Sequence, residues 1–165
     1  AHHERRGEDV VDDGVGRRRQ QLERAARLGA EQVVEVPEGA DPVRIVRDLT
    51  AGRGVDAAIE AVGTPGTWES AVQMVRRGGT VNFFGGCPSD SRITLDTSLL
   101  HYSEITCKAS FHHTPSHIRR ALDVICQGHV TARDFVKGQE PLSNLLDVMR
   151  YLTSHNGHLK TAIIP

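Results

Sequence analysis

The chain has 165 residues, with 20 Lys and Arg set against 21 Asp and Glu for a formal net charge of -1. That length holds one domain with a full core, and the near balance of charge excludes a global attraction to nucleic acid or to an anionic membrane surface. No apolar run approaches the roughly 18 residues of a membrane span, and the start AHHERRGED has no apolar signal region, so the chain reads as soluble and cytoplasmic. Cys87, Cys107 and Cys126 are widely spaced, odd in number and not arranged as C-x-x-C. This argues against a disulfide framework or a local zinc knuckle and predicts buried, reduced thiols.

Residues 10–22, VVDDGVGRRRQQL, are the first informative stretch. Gly14-x-Gly16 after a short apolar run could begin a Gly-x-Gly-x-x-Gly dinucleotide fingerprint. Arg19, however, stands where the third glycine must allow close helix packing. From Arg17 to Leu28, Leu22, Ala25, Ala26 and Leu28 fall on one side, which predicts an amphipathic helix capped at Gly29. EQVVEV predicts a strand. DPVRIVRDLTAGRG predicts a helix with Asp41 as N-cap, Pro42 in the first turn and a stop at Gly52. VDAAIEAVG predicts a strand apolar enough for burial on both faces, and TPGTWESAVQMVRRGG a helix from Pro65 to the Gly78-Gly79 pair.

TVNFFGG predicts the next strand. From Cys87 to His101 the pattern weakens into a loop, with a short extended piece at RITL. EITCKASF then predicts a strand, and TPSHIRRALDVICQGHV a helix with Thr114 as N-cap, Pro115 in the first turn and Gly128 past its end. A short DFV strand, a helix over PLSNLLDVMRYLTSHNG and a strand LKTAIIP complete the chain. Strands alternating with helices in this way predict an α/β fold with a parallel sheet.

The order of these segments resembles the zinc-dependent medium-chain alcohol and polyol dehydrogenases of the sorbitol and threonine dehydrogenase type. The matching residues are RLGA (27–30), GRGVDAAIEAVGTPGTWESAVQMVRRGGTVNFFGG (52–86), SFHHTP (110–115) and GHLKTAIIP (157–165). The resemblance covers residues 17 to 165 and implies a Rossmann-like parallel sheet with helices on both faces, lacking its first strand and phosphate loop. Residues 9–165 would form this partial dinucleotide-binding domain, and residues 1–8 are expected to be poorly ordered. In the family the catalytic zinc is held mainly by a preceding domain, so its ligands are expected to be absent from this chain. His2-His3 and His112-His113 are adjacent pairs without the spacing of helical zinc ligands.

In an open parallel sheet, ligands bind beyond the carboxyl ends of the strands. Here those ends are Ala61-Val62-Gly63, Gly85-Gly86-Cys87 and Ser110-Phe111. Gly63, Gly85 and Gly86 would let a ribose and nicotinamide approach the backbone, or they simply make tight turns. By resemblance, Lys160 stands where the family has a basic residue reaching the cofactor pyrophosphate; a lone lysine is otherwise plain surface charge. Glu60 could be a general base, but alternation makes a solvent-facing or hydrogen-bonded structural role equally open, so it is not counted as catalytic. Trp68 and Met74 read as packing residues, and His112-His113 either line the cofactor cleft or are solvated.

Counting back from RLGA places Gly16 where the family's second strand ends in an acid that receives the adenosine ribose hydroxyls. Glycine there, followed by Arg17 and Arg18, fits a 2'-phosphate, because guanidinium groups bind phosphate through paired charge-assisted hydrogen bonds. NADP is therefore expected over NAD. The bland reading is three arginines decorating the first turn of a helix. The resemblance thus implies the cofactor-binding portion of a zinc-dependent NAD(P) oxidoreductase acting on a secondary alcohol or polyol, inactive as this isolated chain. The alternative is a non-catalytic remnant serving as an oligomerisation or weak nucleotide-binding module, with the EITCKASF edge open to a second copy.

Overall fold

Among the described residues every strand pair is parallel, because each strand is returned to its neighbour by a helical crossover instead of a hairpin. The computed structural model describes residues 13–154 and 160–165; the expectation for residues 1–8 lies outside them. The chain divides into two compact units between His112 and His113.

The first unit begins with β1 (Asp13–Gly16), α1 (Arg19–Arg27) and β2 (Gln32–Glu35). β1 and β2 pair from Asp13↔Gln32 to Gly16↔Glu35, so Gly14 and Gly16 lie inside a strand and not in a phosphate loop. α1 lies on this pair through Leu22 and Ala25, which approach Gly14 and Gly16. α2 (Pro42–Leu49) begins as the sequence predicts: Asp41 Oδ1 accepts from the Val43 N–H at 2.9 Å, and Pro42 occupies the first turn. β3 (Val55–Glu60), β4 (Val75–Phe83) and β5 (Thr106–Ala109) form a three-stranded sheet in that order.

Three expectations fail here for physical reasons. α3 (Pro65–Met74) stops well short of Gly78. Val75 turns extended, pairs with Val55 and is fully buried. The Arg47 guanidinium also takes the carbonyls of Gln73 and Val75, acceptors that a continuing helix would use internally. Residues 76–79 then bulge before the ladder resumes at Ala57↔Thr80. Second, the loop expected through His101 contains α4 (Thr97–Tyr102), whose N-terminus is capped by Asp96 Oδ1 accepting from Ser98 and Leu99. RITL forms no strand; its Leu95 packs on the core instead. Third, β3 is not buried on both faces. Ala58 and Glu60 face the core, whereas Ile59 is 72% exposed.

That core is Ala71, Val72, Val75, Val81 and Phe83, flanked by Val55, Ala58, Trp68, Leu99, Leu100 and Ile105. It lies on one side of the β3–β4–β5 sheet, under α3 and α4. The outer edges of β1, β3 and β5 carry no strand among the described residues.

The second unit holds α5 (Pro115–Cys126), α6 (Ala132–Phe135), β6 (Val136–Pro141), a 3-10 turn at residues 142–144, α7 (Leu145–Ser154) and β7 (Lys160–Ile164). β6 and β7 are parallel partners. The expected DFV strand is instead the end of α6 and the start of β6, because Thr131 and Asp134 close a capping box that starts a helical turn. Ile118, Leu122 and Ile125 of α5 and Leu146 and Met149 of α7 are exposed. All three cysteines are free, but they are not buried: Cys87 is half-buried and Cys107 and Cys126 are exposed, since β5 and α5 are covered on few sides. No helix among the described residues is long and apolar enough to cross a membrane.

Candidate cofactor site

The strand order β3–β4–β5 sets the three segments 61–63, 85–87 and 110–111 side by side at the carboxyl edge of one sheet. At the first of them the chain leaves β3 in a turn organised by Glu60. The side chain of this residue is buried, and its Oε1 accepts from the N–H groups of Val62 at 2.8 Å and Gly63 at 3.0 Å. Its main-chain carbonyl accepts from the N–H groups of Phe84 and Gly85, both at 2.8 Å. A buried carboxylate is costly unless hydrogen bonds replace its hydration, and here the polypeptide supplies them.

The two turns touch through glycine backbones. Gly63 has φ +82, and a Cβ there would lie 2.4 Å from the Gly86 carbonyl oxygen, so no side chain fits. A Cβ on Gly85 would meet the Gly63 nitrogen at 2.5 Å. Mutual contact of the turns thus accounts for both glycines. Gly86 differs, because a Cβ there would meet nothing within 4 Å. Trp68 closes the arrangement from α3: its indole N–H donates to the Gly85 carbonyl at 2.9 Å, and its ring stacks on Phe83 with centroids 4.0 Å apart. Cys87 follows at the rim. Burial, then the Glu60 charge, pushes its thiol above the ordinary value, so it stays protonated and a poor nucleophile.

At the third segment the Ser110 N–H donates to the Phe83 carbonyl at 3.0 Å and the Ser110 hydroxyl to Asn82 Oδ1 at 2.8 Å. Phe111 is exposed and its ring packs against His112, which has φ 60. Val62, Phe84 and Phe111, one at the end of each strand, are 71%, 64% and 86% exposed. Phe84 and Asn82 are not among the site residues that the sequence points to, and Glu60 is ambiguous there. For Glu60 and Asn82 the available signal was a polar side chain inside an apolar strand.

Gly16 closes β1 beside Glu35 of β2, and its carbonyl accepts from the Val36 N–H at 2.8 Å. Arg17 and Arg18 follow, both exposed, and α1 begins with no side-chain cap and no acid in its first turn. A Cβ at Gly16 would meet Leu22 at an ordinary 3.6 Å. Lys160 opens β7 in the second unit and is exposed. Among the described residues no three His, Cys, Asp or Glu side chains converge as a metal cluster.

A family model described as zinc-binding dehydrogenase matches residues 11–127. Sorbitol dehydrogenase of Bacillus subtilis is 30% identical over 145 residues, spanning 87% of this chain and 40% of that protein. The crystal structure of the alcohol dehydrogenase of Aeropyrum pernix superposes with TM-score 0.79 at 26% identity, over 94% of this chain and 43% of that one. An NADP-bound zinc-binding dehydrogenase of Sinorhizobium meliloti shares the fold with TM-score 0.77 at 22% identity, over 93% of this chain and 44% of that one. The chain therefore spans about 40% of the length of such relatives, and its parallel α/β architecture is part of a Rossmann-type domain. With 117 of its residues inside the family model (11 to 127), the chain belongs to the zinc-binding dehydrogenase family.

Proposed function

We propose that the carboxyl ends of β3, β4 and β5 receive the nicotinamide half of a dinucleotide and that the end of β1 meets its adenosine ribose. Within a longer dehydrogenase this part would then serve hydride transfer between NAD(P) and a secondary alcohol or polyol. The observation that carries the reading is the exposure of Val62, Phe84 and Phe111 at three adjacent strand ends. Apolar side chains gathered at that edge suit the face of a flat ring. Gly86 adds an open stretch of backbone beside them.

The nicotinamide, when bound, accepts or gives up the hydride. The chain's own residues orient it: the Val62–Gly63 turn and the Gly85–Gly86 turn fix the height of the shelf, and Trp68 keeps the second turn in place. NADP is favoured over NAD by Arg17 and Arg18 beside an uncapped helix start that lacks acids. Three free thiols suit a reducing compartment, the cytoplasm. A second reading, association with another copy through strand pairing, is favoured by β5, which is exposed along its length and, among the described residues, pairs only with β4.

Titration of the chain with NADPH and NADH, followed by nucleotide fluorescence, tests the first reading. Saturable binding with NADPH tighter is expected. No binding of either at millimolar concentration would sink it. Light scattering of the same sample reads the second: a monomer at all concentrations rules out the edge pairing.

A further inference from the structure

Glu60 is buried at the carboxyl end of β3 and held by the backbone, not by a neighbouring cation: Oε1 accepts from Val62 and Gly63, with Oε2 a further 3.3 Å from the Gly63 nitrogen. Successive backbone N–H groups at such a turn form a concavity that binds anions. In this protein the concavity is filled from within. Its donors are spent on the chain's own carboxylate and are not offered to a phosphate. The same residue's carbonyl ties down Phe84 and Gly85, so one residue fixes both glycine turns, each through two N–H groups.

We propose that Glu60 is a positioning residue for the cofactor: as an internal anion it closes the β3–α3 turn against Gly85 and Gly86, and so sets the apolar shelf of Val62 and Phe84. The turn then meets the cofactor with apolar surface and recognises the flat nicotinamide ring, not the anionic pyrophosphate. The inference rests on the cofactor reading above. It adds that the carboxylate's charge and reach, not its bulk, are what the site needs.

Charge and bulk make opposite predictions in two variants. Glu60→Gln keeps the volume but presents one acceptor in place of two and adds a donor that opposes the N–H pair. Glu60→Asp loses volume but keeps the charge, and an aspartate reaches the N–H two residues on. The full chain is titrated with NADPH in all three forms, with amide spectra of isotope-labelled protein recorded alongside. A positioning carboxylate gives affinities in the order wild type, then E60D, then E60Q, with E60Q weaker than wild type by about tenfold, the scale of one lost charge-assisted hydrogen bond. The Val62 and Gly63 amide resonances move upfield in E60Q and return part of the way in E60D. A merely space-filling role reverses the order, with E60Q close to wild type and E60D the poorer, and that result overturns the proposal. The wild type supplies a check that does not depend on either variant folding. On addition of NADPH the Val62 and Gly63 amides must stay downfield and protected from exchange, whereas their transfer to the cofactor as donors overturns the proposal. If the wild type binds no nucleotide, the cofactor reading itself fails; if it binds and E60Q binds equally well, only the role of Glu60 does.

Discussion

Gly63 and Gly85 meet backbone to backbone: a Cβ on Gly85 would stand 2.5 Å from the Gly63 nitrogen, and Gly63 itself lies at φ +82. Neither turn can move away without breaking the bonds that Glu60 makes to both. Gly63→Ala and Gly85→Ala should therefore each cost about 2 to 3 kcal/mol, from strain and overpacking. Gly86→Ala, with open space around it, should stay within about 0.5 kcal/mol of wild type in stability while weakening nucleotide binding. Urea denaturation with parallel NADPH titration separates the two effects; a neutral Gly63→Ala would contradict the packing described.

Arg47 joins α2 to the end of α3. Its guanidinium donates to the carbonyls of Gly52, Arg53, Gln73 and Val75, at 2.7 to 3.1 Å. Arg47→Ala should lower stability by about 2 to 3 kcal/mol, since hydrogen bonds from a charged donor are the stronger kind. Arg47→Lys should recover less than half of that, because a point ammonium cannot span the carbonyls that the planar fork reaches. The midpoints of urea unfolding give the comparison.

Acid should weaken the first unit through Asp56. Hydrogen bonds from Arg53 and then Arg76 hold its carboxyl down from the ordinary 3.8 to about 2. A folded-state value below the unfolded one means that the contribution is complete above about pH 4 and is lost as pH falls toward 2. Asp56→Asn should remove this part of the acid dependence, with little change at pH 7 beyond the loss of two exposed ion pairs. Thermal melts between pH 2 and pH 7 on both proteins would show it, and superimposable profiles would count against the Asp56 pairings.

Cofactor choice is predicted to turn on residues 16 to 18. Among the described residues a side chain at Gly16 would meet Leu22 at ordinary contact, so Gly16→Asp should fold normally. Its carboxylate would accept from ribose hydroxyls and repel a 2'-phosphate, moving preference toward NADH. Arg17→Ala with Arg18→Ala should weaken NADPH by about tenfold and leave NADH nearly unchanged. Equal losses for both nucleotides would show that the arginines do not read the phosphate. Glu35, the partner of Gly16 across the strand pair, gives a further probe: its replacement by Gln should favour NADPH.

Local chemistry was readable wherever a short-range signal acts alone. Asp41 with Pro42 and Thr114 with Pro115 each announce a helix start, and the structure places caps at both. The resemblance places Gly16 at the end of a strand, and β1 ends on that residue. What spacing could not show is where VQMVRRGG changes from helix to strand. Helix and strand periods both accommodate that apolar stretch, and the decision comes from Arg47, a residue of α2, and from pairing with Val55. Likewise the thiols and Ile59 look like core residues by type, while their exposure depends on which faces other elements cover.

At the site, the sequence by itself determined which segments stand at strand ends, because alternating elements of a parallel sheet leave little choice. It also determined that glycines occupy two of those three ends. Only the tertiary structure decided what the glycines are for. Gly63 and Gly85 are required by each other, Gly86 is crowded by none of the described residues, and Glu60 passes from an ambiguous polar residue to the anchor of both turns. The physical reason is that periodicity is a property of neighbours in the chain, whereas the cost of a Cβ or of a buried charge is set by atoms brought close from another strand.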